Sequence, residues 1–176
     1  MIRRNVRVPD RDIRERAYKS LVRPQVEFAS SLWDPPRNQG QSSTRQSVLS
    51  HQVEMVQRRS ARYVCNRFHN TSSVSNMLNE LAWPTLESRR KNARLCMMYR
   101  IVHGLVAIPF EQYLVKSTTR TRGHDQRYPI IGGNINVYRD SFLPRTIRDW
   151  NSLSQSLVSS ETLDQFKSGL ARQSLH

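Results

Sequence analysis

The sequence predicts a mostly α-helical protein, a small domain of five or six helices with room for one short β-hairpin in its C-terminal third. Three observations predict it. Apolar residues recur at helical spacing, as in Ile13, Ala17 and Leu21, and again in Leu49, Val53, Val56 and Val64. Pro84, Gly104 and Pro109 punctuate these runs. A length of 176 residues with 37% hydrophobic content suits one domain, or a small domain with a loose tail, and a modest core.

Taken in order, the first helical stretch covers about Asp10 to Trp33. Asp10 or Asp12 is suited to cap it, and Pro24 interrupts it, because proline lacks a backbone donor and disfavours helix at Arg23. Asp34-Pro35-Pro36 ends it. Arg37 to Ser47 (RNQGQSSTRQS) has no apolar residue and reads as loop. A second helix is expected from Val48 to Phe68, with Leu49, Val53, Val56, Ser60 and Val64 as its inward stripe and Arg58, Arg59, Arg62 and Arg67 on the remainder. Thr71 or Ser72 then caps a short helix with Val74, Met77, Leu78 and Leu81 inward. Thr85 opens a longer helix, Leu86 to His103, and Gly104 fits the left-handed position past its end.

Beyond Pro109 a short helix to Leu114 is expected, and Ser117 to Tyr128 reads as exposed basic loop. Pro129 to Phe142 carries β-branched residues around Gly132-Gly133 and admits the hairpin. Pro144 to Ser152 reads as a short amphipathic helical turn holding Trp150. Ser159 or Ser160 is suited to cap a last helix that turns Leu163, Phe166 and Leu170 to one face. The chain thus divides into 1–36 (N-terminal helices), 37–52 (polar linker), 53–109 (basic helices) and 110–176 (loop, hairpin and last helix).

Charge is the strongest compositional fact. Lys and Arg total 28 against 14 acids, a formal net charge of +14, and the pI is near 11.0. Only Lys19, Lys91, Lys116 and Lys167 are lysines, so 24 are arginines. Guanidinium forks phosphate and stacks on bases, whereas ammonium acts as a point charge, so this bias favours nucleic acid; ordinary solvated arginine is the alternative. Mean hydropathy is −0.67 and no run of 18 apolar residues exists, so no membrane span is expected. Cys65 and Cys96, after an N-terminus (MIRRNVRVPD) with no apolar leader, suit free thiols in a reducing, intracellular setting, nucleus or cytoplasm alike.

No catalytic pattern emerges. Asp10 and Asp12 sit as helix caps among arginines rather than as a metal-binding pair, and the chain has no phosphate-binding loop of the G-x-x-x-x-G-K type. Cys65, His69, Cys96 and His103 have the wrong spacing for a zinc ribbon or knuckle, so no metal is expected. Cys65 and His69 lack an orienting acid. No cofactor and no small-molecule substrate are implied. What remains is basic helices with interleaved aromatics. Arg58 and Arg62 share one face, as do Arg90 and Arg94, and Tyr63, Phe68 and Tyr99 are either base-stacking rings or core.

AYKSLVRPQVEFASSLWDP (Ala17 to Pro35) resembles the stretch just after the catalytic palm in reverse transcriptases of non-LTR retrotransposons (LINE-type, jockey-like). VEMVQRRSARYV (Val53 to Val64) is similar to the phrase that follows it there. The resemblance continues through NRFHNTSSVSNML (Asn66 to Leu78), LAWPTLESRRKNARLCMMYRIVHGLVAIP (Leu81 to Pro109), SFLPRTIRDWNSL (Ser141 to Leu153) and ETLDQFKSGL (Glu161 to Leu170). The blocks keep family order over nearly the whole chain. The family's aromatic-x-Asp-Asp turn, which carries the polymerase metals, is absent from this sequence. The gap between Pro35 and Val53 is also longer than the family's.

The resemblance implies a thumb and post-thumb region without catalysis of its own, which contacts RNA or an RNA/DNA template–primer through its backbone and leans on a palm domain. Arg58, Arg59, Arg62, Arg67, Arg89, Arg90, Arg94 and Arg145 are then the candidate nucleic-acid contacts, and Phe142 and Trp150 a buried clasp. Two other readings stay open. One is an RNA-directed DNA polymerase whose catalytic part lies upstream of Met1; the other is a relic or protein-interaction module.

Overall fold

The structure is a computed structural model that describes residues 9–30, 45–109, 112, 114, 124–132, 138 and 141–173. Its described elements are helical: α1 (Arg11–Ala17), a π turn (Tyr18–Val22), α2 (Arg23–Glu27), α3 (Arg45–Cys65), α4 (Val74–Glu80), α5 (Leu86–Val102), α6 (Phe142–Asn151), α7 (Gln155–Val158) and α8 (Leu163–Gln173). Among the described residues there is no strand; the hairpin expected at 130–142 falls largely on residues outside them, as do the 37–44 loop and most of the helix expected after Pro109. The chain forms two compact units, Met1–Arg90 and Lys91–His176.

In the first unit, Asp10 caps α1 by accepting the Asp12 N–H. The break expected at Pro24 takes the form of a π turn. Pro24 cannot donate to the Ser20 carbonyl and its ring would crowd it, so the preceding turn widens and the Arg23 N–H reaches back to Tyr18 O. α2 stops at Glu27, where Phe28 turns extended (ψ 128°) and Ala29 left-handed (φ 50°); the end expected near Trp33 lies outside the described residues. α3 opens at Arg45, inside the stretch read as linker. Its buried line is Gln57, Ala61 and Val64, with Tyr63 beside it, while Leu49 is exposed. Of the expected stripe Leu49, Val53, Val56, Ser60 and Val64, Val64 is buried, Val53, Val56 and Ser60 are half-buried and Leu49 is exposed, so the inward face is centred about one residue further along at Gln57 and Ala61.

Tyr18, Ala61, Tyr63, Val64, Val74, Met77, Leu78 and Leu81 form one core cluster, so the first helical run packs on α3 and α4 despite the long gap between Pro35 and Val53. The cap of α4 is Ser73, not Thr71 or Ser72. Its inward residues, Val74, Met77, Leu78 and Leu81, are as expected.

Three helices end alike. After α3, Asn66 is left-handed (φ 54°) and the Arg67 N–H bonds Arg62 O at 3.1 Å. After α4, Ala82 does the same (φ 51°), with Trp83 N to Leu78 O at 2.9 Å. After α5, Gly104 (φ 65°) is followed by Leu105 N to Arg100 O at 2.8 Å. Each closes the last turn with a six-to-one hydrogen bond over a left-handed residue. Only the third was visible in advance, because only there does glycine mark the spot.

The second unit is built on aromatics. Trp150, Tyr99, Phe166, Ile147, Met98 and Val158 are fully buried in one cluster. Tyr99 stacks on Phe166 at 4.8 Å between centroids, and the Tyr99 hydroxyl donates to Ser160 O at 2.8 Å. Phe142, expected in the buried clasp, is only half-buried. The last helix is capped by Thr162, whose Oγ1 accepts the Gln165 N–H at 3.2 Å, rather than by Ser159 or Ser160.

The end of the expected basic loop is not exposed, since His124 and Tyr128 are buried. Side chains of α6 and α7 hold its backbone. Trp150 Nε1 donates to Gln126 O at 2.9 Å, and Asn151 both accepts from Tyr128 N (3.1 Å) and donates to Tyr128 O (2.7 Å). Gln155 Oε1 accepts from Asp125 N at 3.0 Å. Irregular backbone can be buried only when its polar groups are matched in this way.

Candidate nucleic-acid interface

The eight arginines singled out by the sequence have several different environments. On α3, Arg59 is exposed and its neighbours Arg58 and Arg62 are half-buried. Arg62 Nη1 donates to His69 O at 3.1 Å, which folds its stem over the turn after α3. Arg67 is exposed and pairs with Glu80 at 2.9 Å; the other Glu80 oxygen takes Arg11 at 2.6 Å. Exposed pairs of this kind contribute about 0–1 kcal/mol, so a phosphate can displace the carboxylate at little cost.

On α5 the arginines turn inward. Leu86, Arg90, Arg94, Met98 and Ile101 are all buried, a single stripe at three- and four-residue spacing. Arg90 and Arg94, each 3% exposed, therefore occupy core positions of the helix rather than an outward basic face. Arg94 Nη2 pairs with Asp149 Oδ2 at 2.8 Å, and Lys91 reaches the other Asp149 oxygen at 3.5 Å. Arg89 grips Glu27 with two hydrogen bonds, Nε to Oε1 and Nη2 to Oε2. Burial alone raises the Glu27 carboxyl, but the Arg89 hydrogen bond with the Arg89 and Arg23 charges outweighs it and holds Glu27 below its ordinary value. Arg145 is half-buried and engaged within the protein.

The aromatics divide as well. Tyr63 and Tyr99 are core, 8% and 1% exposed, and Phe68 lies at the surface. Cys65 and Cys96 are free thiols pushed up by burial, hence poor nucleophiles. Among the described residues no three His, Cys, Asp or Glu side chains are grouped to hold a metal, and no helix is long and apolar enough to cross a membrane.

Sequence reasoning missed Arg14, Gln57 and Trp83. Arg14 is 8% exposed and donates to three carbonyls: Asp10 O (3.2 Å), Tyr63 O (3.0 Å) and Pro9 O (2.9 Å). Its guanidinium also lies 5.9 Å from the Tyr63 ring centre. Gln57 is 1% exposed and donates to Pro84 O at 2.9 Å. Tyr18 and Trp83 stack at 4.3 Å, and Trp83 Nε1 donates to Glu15, which Lys19 also pairs. Together Tyr18, Lys19, Arg23, Gln57, Trp83 and Arg89 line much of a cavity of about 250 Å³ within the first unit. The signal available beforehand was spacing: Arg14 and Tyr18, like Gln57 and Ala61, are one helical turn apart on inward faces.

The class defined by these observations is a small, mostly helical protein with a strongly basic composition. No protein-family model matches the chain, and no curated protein or solved structure does either.

Proposed function

We propose that this chain is a non-catalytic, nucleic-acid-binding segment of a non-LTR retrotransposon reverse transcriptase. It contacts the backbone of RNA or of an RNA/DNA template–primer through the arginines of α3. The observation that carries this reading is the set of sequence blocks between Ala17 and Leu170, in family order, on a chain of net charge +14. Arg59 is exposed between the half-buried Arg58 and Arg62, and Arg67 sits in a surface pair, which suits contact with phosphates. Arg89, Arg90 and Arg94 serve the interior first.

A protein partner enters the same reading. Ile13, Leu21 and Phe28 are 44%, 55% and 77% exposed on the first helical run, an apolar surface suited to the palm of a parent polymerase.

The test is binding to an RNA hairpin and to a primer–template duplex across a salt series, with circular dichroism on the same sample. Backbone recognition predicts a log–log slope of roughly −0.7 to −0.9 per phosphate neutralised and little sequence preference. Replacing Arg58, Arg59 and Arg62 with Gln should make that slope shallower by about 2 units. A slope unchanged by the triple replacement, in a protein that stays helical, would remove α3 from the interface.

A further inference from the structure

We infer that the cavity of the first unit is a nucleotide site, which takes one unpaired base with its phosphate. Three features of its wall point to that chemistry. The half-buried Trp83, backed by the buried Tyr18 ring stacked on it, gives the cavity an aromatic side, and stacking on such a surface is how proteins hold bases without regard to sequence. Lys19, Arg23 and Arg89 give it three cations, while no lining residue is acidic; the carboxylates that pair them, Glu15 and Glu27, are not among the lining residues. The cavity thus favours an anion over a cation.

The third feature is Gln57. Its Nε2 is spent on Pro84 O, which fixes the amide orientation, and its Oε1 is buried with no hydrogen-bond partner. A small swing of the Gln57 side chain toward the cavity would present this acceptor, and the pairing edge of an unstacked base supplies the N–H donor it lacks. The Tyr18 hydroxyl is pushed up to about 12 by burial first and by Glu27 second, so the wall gains no negative charge near neutrality. At about 250 Å³ the space suits a single nucleotide rather than a larger ligand.

The ligand class rests on the nucleic-acid reading above, but the site is separate from the arginines of α3. Calorimetric titration with AMP, with purine riboside 5′-monophosphate (which lacks only the exocyclic amine) and with ribose 5-phosphate tests it directly. The expected order is AMP tightest, the amine-free analogue about fivefold weaker and ribose 5-phosphate at least about tenfold weaker. Gln57→Met should erase the difference between the first two, and Lys19→Gln should weaken all three. Where Gln57→Met does not fold, the ligand series on the unaltered chain still decides.

Equal affinity for AMP and ribose 5-phosphate, or no saturable binding, overturns the site. A short single-stranded oligoadenylate displaced by AMP assigns the site to strands; AMP binding without such competition assigns it to free nucleotides. Salt-steep RNA binding with no AMP discrimination would remove the cavity and leave the α3 interface standing. The converse result would remove the interface and keep the cavity.

Discussion

The two units solve the same problem, closing a small core, with different chemistry. The first is held by charged side chains, on backbone and on each other: Arg14 on three carbonyls, Glu54 on the Leu86 N–H at 3.2 Å, and Arg89 on Glu27. The second is held by aromatic volume, with Trp150, Tyr99 and Phe166 in contact and Asn151 and Gln155 tying down irregular chain. The contrast teaches that a basic composition does not place every arginine on the surface. Arg14, Arg90 and Arg94 are interior components, each less than a tenth exposed.

The largest expected effect sharpens the second half of this contrast. Trp150→Ala removes a fully buried indole and the Nε1–Gln126 tie, and should cost about 3–5 kcal/mol in urea denaturation. A loss below about 1 kcal/mol would mean that the aromatic cluster is not what closes this unit.

Arg14→Met tests the first half. It leaves three carbonyls short of a donor while keeping much of the volume, and should cost about 2 kcal/mol. Lysine should not restore stability, because one ammonium cannot match the planar fork. Full rescue by Arg14→Lys would break the comparison.

Glu27→Gln should cost about 1–2 kcal/mol at neutral pH by weakening the hold on Arg89. Its pH dependence has a definite sign. The folded carboxyl is depressed below 4.5, so its stabilisation is present above that value and fades as pH falls through the depressed one. The variant should therefore lose part of the acid limb of the stability profile.

Ala82→Gly is expected to stabilise by about 0.5–1 kcal/mol, since a left-handed alanine costs about 1–2 kcal/mol and glycine returns part of that as unfolded-chain entropy. The same change at an ordinary helical alanine would destabilise. Unchanged stability would show that the turn after α4 carries no strain.

The smallest effect belongs to Glu54, whose carboxyl is pushed up chiefly by burial. Its contribution is present below 4.5 and fades as pH rises through the raised value, opposite to Glu27. Glu54→Gln keeps an acceptor for Leu86 N–H and should raise the neutral-pH denaturation midpoint slightly, where Glu27→Gln lowers it.

Much of this fold is legible in the sequence wherever residue type and geometry agree. Val74, Met77, Leu78 and Leu81 read correctly as inward, and Gly104 marks its left-handed turn. Elsewhere the two part company. Asn66 and Ala82 adopt the conformation of Gly104 without its signature. On α5 a polar reading of Arg90 and Arg94 hides the fact that they share a stripe with Leu86 and Met98. Pattern matching by residue type discards arginine from cores, although a paired guanidinium such as Arg94 on Asp149 is a workable core group. The cavity was the least legible feature, because its wall is assembled from separate parts of the first unit: Tyr18, Gln57 and Trp83 lie far apart in sequence and have meaning only once folded.

The π turn at Tyr18–Val22 bears on how this chain tolerates changes of length. Such a turn holds one residue more than its α counterpart, the geometry left when a single residue is added inside an established helix. An unbroken α-helix drawn through the same residues would rotate everything downstream by about 100° relative to α1. Arg23 and Glu27 would then leave the positions from which Glu27 meets Arg89. The extra residue acts as a phase shifter: it lets one continuous rod present Arg14 and Tyr18 inward at one end and still aim Glu27 correctly at the other.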